Sequence, residues 1–146
     1  MDNLDYKILD LLKKNSRIQI SEISKSIKLS IPAVSERIRK LDEAGIIEKY
    51  TIKINREKTN SSLLAFIFVN IDKPEHISGF RISIIKFSSV LECHHLAGEY
   101  DYMLKVALSD TKALEEFISN KLKKITGVQK TNTIISLSSI KEEINP

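Results

Sequence analysis

The stretch from Lys28 to Lys40 is the part of the sequence best equipped to meet a polyanion. Ser30 stands just before an apolar stripe, Val34, Ile38 and Leu41, and Pro32 falls in the first turn, where its missing N–H costs nothing. The spacing predicts a helix capped by Ser30 and closed by Gly45, a residue that tolerates positive φ. With the stripe turned inward, Pro32, Glu36 and Arg39 point farthest outward, flanked by Ser35 and Lys40. A helix of this width fits a DNA major groove, where Arg39 could pair with a guanine edge and Ser30 or Ser35 could reach bases or phosphates. Lys28 and Lys40, at the rims, suit phosphates. Glu36 either reads a cytosine amine or repels phosphate, and the whole charged face could equally be a solvated surface. Arg37 sits nearer the core stripe, so it can brace an acidic side chain of the first helix or touch a phosphate. Together with Ile31, these residues form the candidate DNA-binding set.

Other reactive side chains offer less. His94 and His95 are adjacent on an expected strand, face opposite ways and do not readily share one metal ion. Cys93 is the only cysteine, which excludes an internal disulfide and a Cys-based zinc site, and it reads as a small buried hydrophobe. Glu92, Glu99 and Asp101 make no recognisable acid/base pair, and no nucleophile elbow appears. The four glycines, Gly45, Gly79, Gly98 and Gly127, are too dispersed for a dinucleotide or P-loop phosphate cradle. No cofactor, no metal and no enzymatic activity are therefore expected.

The elements that must position these residues follow from periodicity. Leu4, Ile8, Leu11 and Leu12 form one helical stripe, and Ile20, Ile23 and Ile27 form a second, ahead of the Ser30 helix. The alternating run Tyr50–Ile54 predicts a strand after three helices, which closes a domain at residue 54. The polar segment 55–62 reads as a linker. From residue 63 the pattern changes to strand Leu63–Ile71, a helix striped by Ile77, Phe80, Ile84 and Phe87, and strands Val90–Ala97 and Tyr102–Leu108 split by Gly98–Asp101. A helix capped by Asp110 and stopped by Gly127 follows, then a last strand, Val128–Ile140. The fold class is α+β: an N-terminal winged helix-turn-helix and a ferredoxin-like βαββαβ domain over 63–146. One sheet face is left needing a partner, and sheet-to-sheet dimerisation is the expected solution.

Charge sharpens this division. Residues 1–60 carry 13 Lys/Arg against 9 Asp/Glu, and residues 61–146 carry 10 against 10, so the whole positive excess lies in the helical part. That asymmetry suits a polyanion-binding module joined to a neutral partner. With 146 residues, 42% of them hydrophobic and 29% charged, the chain can bury a core and resembles neither a disordered tail nor a membrane protein. It has no basic, apolar leader and no spanning run, so a cytoplasmic, nucleoid-associated setting without membrane contact is expected.

Three segments resemble the DNA-binding part of Lrp/AsnC (leucine-responsive, "feast or famine") transcription regulators: Leu4–Leu9, Leu29–Leu41 and Gly45–Tyr50. Val90–Tyr102 and Gly127–Thr133 resemble the family's effector-sensing domain, so the resemblance covers nearly the whole chain. It implies a homodimer, often assembled into octamers, that binds double-stranded DNA through paired recognition helices and is tuned by a small effector, commonly an amino acid. It also implies an effector cleft between subunits, with Gly98, Tyr100, Asp101 and Thr133 at the matching positions. Backbone N–H groups of the hairpin could take a carboxylate and Asp101 an ammonium. Alternatively Gly98 and Asp101 merely make the turn and Thr133 is an ordinary strand residue. Two positions depart from the pattern. Ala97 stands where many members have Thr, which removes a hydroxyl. Lys28 stands where Gly is frequent, which costs about 1 kcal/mol if φ is positive there. Two other readings remain: a tetrapyrrole (sirohaem) decarboxylase-like enzyme of similar fold, and a low-specificity DNA-packing protein.

Overall fold

The computed structural model describes residues 1–146, which form two compact units, Met1–Lys53 with Glu143–Pro146, and Ile54–Glu142. No helix is long and apolar enough to cross a membrane.

The first unit holds α1 (Asn3–Lys14), α2 (Ile20–Ile27) and α3 (Ile31–Glu43). Helix α1 starts at a reciprocal cap. Asp2 Oδ1 accepts from the amides of Leu4 and Asp5, and Asp5 Oδ2 accepts from the Asp2 amide at 2.8 Å. Helix α2 ends at Lys28, whose φ of 58° is the left-handed conformation that the departure from Gly made costly. The three stripes meet in a core of Ile8, Ile23, Ile27, Val34 and Leu41, while Ile20 stays 38% exposed. Gly45, at φ 67°, follows the last turn of α3 as its spacing predicts.

The run Tyr50–Ile54 is not a strand. It has no regular structure, and the chain forms a single four-stranded sheet elsewhere. A lone extended segment has no ladder partner, so the alternation of Tyr50, Ile52 and Ile54 leaves all three side chains more than half exposed. The expected linker is also more ordered than its polarity suggests. Asn55 caps a 3₁₀ turn over Arg56–Thr59, and this stretch groups with the second unit.

The second unit is built from β1 (Leu63–Ile71), α4 (Ile77–Ile84), β2 (Val90–His95), β3 (Tyr102–Leu108), α5 (Thr111–Asn120) and β4 (Val128–Ile135). The sheet order is β2-β3-β1-β4, antiparallel throughout, which is the ferredoxin-like arrangement. Ala65, Ile67 and Val69 of β1 and Tyr102, Leu104 and Val106 of β3 point to the helix layer, where Phe80, Ile84, Leu114 and Phe117 complete the core.

Three boundaries move for physical reasons. Strand β4 ends at Ile135 rather than Ile140: Ser136 N still bonds to Leu64 O at 2.9 Å, but β1 begins at Leu63 and offers no strand beyond it. Strand β2 ends at His95, opposite Tyr102, where Leu96 N to Asp101 O (2.8 Å) starts the turn. Helix α5 ends at Asn120. A 3₁₀ turn over Leu122–Lys124 follows, so Gly127, at φ 95°, introduces β4 instead of stopping the helix.

The second sheet face carries Phe66 and Phe68 from β1, Met103 and Lys105 from β3, and Asn132 and Ile134 from β4, as their pairing requires. Part of it is covered from within the chain. Glu142 accepts from Lys105 Nζ at 2.8 Å, and both its oxygens accept from Arg56 at 2.7 and 2.9 Å.

Candidate nucleic-acid interface and effector positions

The Ser30 side chain accepts from Ala33 N at 3.3 Å, which fixes the start of α3. Ser30, Ile31, Pro32, Glu36, Arg39 and Lys40 are exposed, and Ser35 is half-buried with its hydroxyl donating to Ile31 O at 3.0 Å. Lys28 is exposed at the turn that precedes this helix. Eight of the nine candidates thus share an open face or its rim.

Arg37 is occupied elsewhere. Its guanidinium donates to Asp2 Oδ2 at 2.9 Å and Asp5 Oδ1 at 2.7 Å, so the brace to the first helix exists. The same two carboxylates cap α1, and one pair of acids therefore fixes the start of one helix and the rotation of another. Asp5 is held below the usual carboxylate range first by the Asp2 amide and then by Arg37, and Asp2 likewise by the Asp5 amide and Arg37.

Arg39 is also held, which the sequence did not foretell. Its Nε and one terminal nitrogen donate to the two oxygens of Glu36 at 2.9 and 2.7 Å, and its other terminal nitrogen donates to Glu43. Glu36 is pulled down to about 2, chiefly by the hydrogen bonds from Arg39. The i−3 and i+4 spacing of Glu36 and Glu43 about Arg39 was the available signal.

In the second unit, Asp101 serves the backbone of β1. Its Oδ2 accepts from Ile71 N at 2.7 Å, beside the register shift at Asn70/Ile71, and its own amide donates to Val69 O and Asn70 Oδ1, both at 3.0 Å. Gly98 is exposed, and a side chain there would meet nothing within 4 Å of its Cβ. Tyr100 packs on Phe68 at 5.5 Å between ring centroids, with Lys130 Nζ 5.4 Å from its ring centre. Thr133 lies opposite Ile67, and therefore points to the helix-covered face, whereas Phe68 and its Tyr100 lie on the other face. One chain thus gathers Gly98, Tyr100 and Asp101 but not Thr133. One concavity of about 490 Å³ lies along α5 and another of about 420 Å³ lies between the end of α4 and the turn that follows α5, and neither is at this hairpin.

The histidines diverge as adjacent strand residues must. His94 pairs with Glu92 at 3.0 Å, while His95 stacks on Tyr102 at 4.9 Å beside Arg81, which donates to the Tyr102 hydroxyl at 2.8 Å. Burial pushes the half-buried Cys93 thiol up, away from a reactive thiolate.

A family profile described as the Lrp/AsnC ligand binding domain matches residues 64–146, and one described as winged helix-turn-helix DNA-binding matches residues 1–48. The chain belongs to the Lrp/AsnC family. It is a transcriptional regulator with a helix-turn-helix and a ligand-binding domain. An uncharacterized HTH-type transcriptional regulator of Pyrococcus horikoshii is 37% identical over 99% of this chain and 97% of its own length. The leucine-responsive regulatory protein of Escherichia coli is 31% identical over 97% of this chain and 88% of its own. Among solved structures, a Neisseria meningitidis transcriptional regulator in complex with L-Met superposes with a TM-score of 0.95 at 33% identity, over 99% of this chain and 94% of that one. These relatives carry the regulator reading rather than the decarboxylase or DNA-packing alternatives.

Proposed function

We propose that this Lrp/AsnC regulator is a homodimer, able to assemble further into octamers, that places two copies of α3 in successive major grooves of an operator. The observation that carries the reading is the Ser30-capped α3 with Ser30, Pro32, Glu36, Arg39 and Lys40 on one exposed face. Base edges fall to Ser30, Ile31, Pro32, Ser35, Glu36 and Arg39, and phosphates to Lys28 and Lys40. Arg37 sets the rotation of α3 and adds a phosphate contact only if Asp2 releases it. A two-fold dimer requires half-sites about 34 Å apart or a multiple of that.

The effector in this reading is an amino acid, held through Gly98, Tyr100 and Asp101 of one subunit and Thr133 of another. Two features support a site shared between subunits: the separation of Tyr100 and Thr133 across the sheet, and the half-buried Phe66, Phe68 and Met103 on the open sheet face. The protein works on the nucleoid in the cytoplasm, without a cofactor and without catalysing a reaction.

Selection of genomic fragments by the purified protein, with and without a panel of amino acids, tests both halves together. A bound operator class whose recovery changes with one amino acid is expected. With Lys28 and Lys40 of each of two subunits on phosphates, log K against log salt has a slope of about −3.6. Failure to retain any duplex, or a flat salt response, overturns the reading.

A further inference from the structure

Every nitrogen of the Arg39 guanidinium points at a carboxylate: Nε and one terminal nitrogen at Glu36, the other at Glu43. Lys40 Nζ lies 3.7 Å from Glu36 as well. The exposed face of the recognition helix therefore presents two cations and two anions and no net charge, although the surrounding unit is basic. Exposed pairs of this kind contribute little to stability. For a polyanion ligand their effect is larger, because a phosphate that approaches Arg39 meets two carboxylates at the same place and gains little from the release of counterions. A C·G base pair presents the opposite pattern. Its guanine offers O6 and N7 as acceptors, and its cytosine offers an N4 amine as donor. A bidentate Glu36–Arg39 unit can satisfy both edges, with the arginine donating to guanine and the glutamate accepting from cytosine. Glu43, one turn past Arg39 on the other side, takes no part in the base contact and holds the guanidinium in line.

We propose that Glu36 and Glu43 are specificity-determining residues that withhold Arg39 from phosphates and commit the Glu36–Arg39 pair to a C·G step. This rests on the reading of α3 as the recognition helix. Fluorescence anisotropy of the full chain on a selected operator and on random duplex, from 50 to 200 mM salt, tests it with Glu36→Gln, Glu43→Gln and Glu36→Ala.

Each glutamine removes one competing negative charge per subunit from beside Arg39, equivalent to about one added cationic contact. The random-duplex slope is then expected to steepen by about 1.8 for a dimer, equivalent to about 12-fold more affinity lost across that salt range. The ratio of operator to random affinity is expected to fall about tenfold. Glu36→Ala is expected to lose the preference for C·G at one operator position. Random-duplex affinity and slope unchanged in both glutamine variants overturn the inference while leaving the regulator reading intact. A wild-type chain that binds no duplex overturns the regulator reading itself.

Discussion

Asp101 is the residue for which two roles collide, and the structure allows them to be separated. Its Oδ2 accepts from Ile71 N at 2.7 Å, where β1 slips register against β4. Hydrogen bonds to charged acceptors contribute about 1.5–3 kcal/mol when the donor cannot find water instead, and the Ile71 amide is partly buried. Asp101→Ala is therefore expected to destabilise the sheet domain by about that much. For a domain of this size, that lowers the calorimetric midpoint by at least about 6 °C. Asp101→Asn keeps an oxygen for the Ile71 amide and removes the charge. It is expected to lower the midpoint by less than the alanine variant does while losing amino-acid binding in a calorimetric titration, if the carboxylate holds the ammonium. An alanine variant that melts with the wild type refutes the turn-holding argument. An asparagine variant that binds the effector normally removes Asp101 from the effector site.

At Gly127, a Cβ would stand 2.4 Å from His76 Cβ on a backbone at φ 95°, so Gly127→Ala is expected to cost about 2–5 kcal/mol in urea unfolding. Because the His76 Cβ is nearest and its Cγ follows at 2.9 Å, adding His76→Ala should restore part of the loss and adding His76→Gly more; full rescue by His76→Ala contradicts the geometry. Lys28→Gly is expected to stabilise the helical unit by about 1 kcal/mol, since φ 58° is costly only for a side chain, and thermal melting of the variant checks it. Glu142, held by Arg56 and Lys105, protonates only near about 2 in the folded chain against an ordinary value of 4.5. Its contribution is whole above pH 4.5 and drains away as the pH falls towards 2. Urea midpoints measured from pH 6 to pH 3 should therefore fall less in Glu142→Gln than in the wild type, and equal falls count against the network.

The helices and the βαββαβ order were legible because each rests on local signals: the stripes of Ile8, Ile23 and Val34, the caps at Ser30 and Asp110, and the glycine at 45. Strand ends were not, because they depend on the partner. Ile140 continues an apolar pattern that Leu63, the first residue of β1, cannot extend. The Tyr50–Ile54 alternation fails for the same reason, having no strand beside it to form a ladder. At the recognition face, the sequence locates Arg39 and Glu36 on one side of a helix but not their bidentate lock or the part Glu43 plays in it. The sequence leaves Arg37 open to two roles because Asp2 and Asp5 are more than 30 positions away, and only the packing of α1 against α3 brings them within 3 Å. Thr133 shows the reverse limit. A family pattern names it with Tyr100, yet pleating sets the two on opposite sides of the sheet.

The sheet stops at four strands, so the outer rims of β2 and β4 keep unbonded backbone donors and acceptors. A rim of that kind can zip onto any extended apolar peptide unless charge or a kink discourages it. On β2 the discouragement is present, since the strand is short, irregular after Val90 and bears Glu92 and His94. On β4 the lysine lies near the start, and the far end offers Ile134 and Ile135 at 52% and 44% exposure. Filament growth in concentrated stocks should therefore begin at that isoleucine pair, and a lysine in place of Ile135, which lies off the open face that carries Ile134, is the simplest solubility safeguard the fold permits.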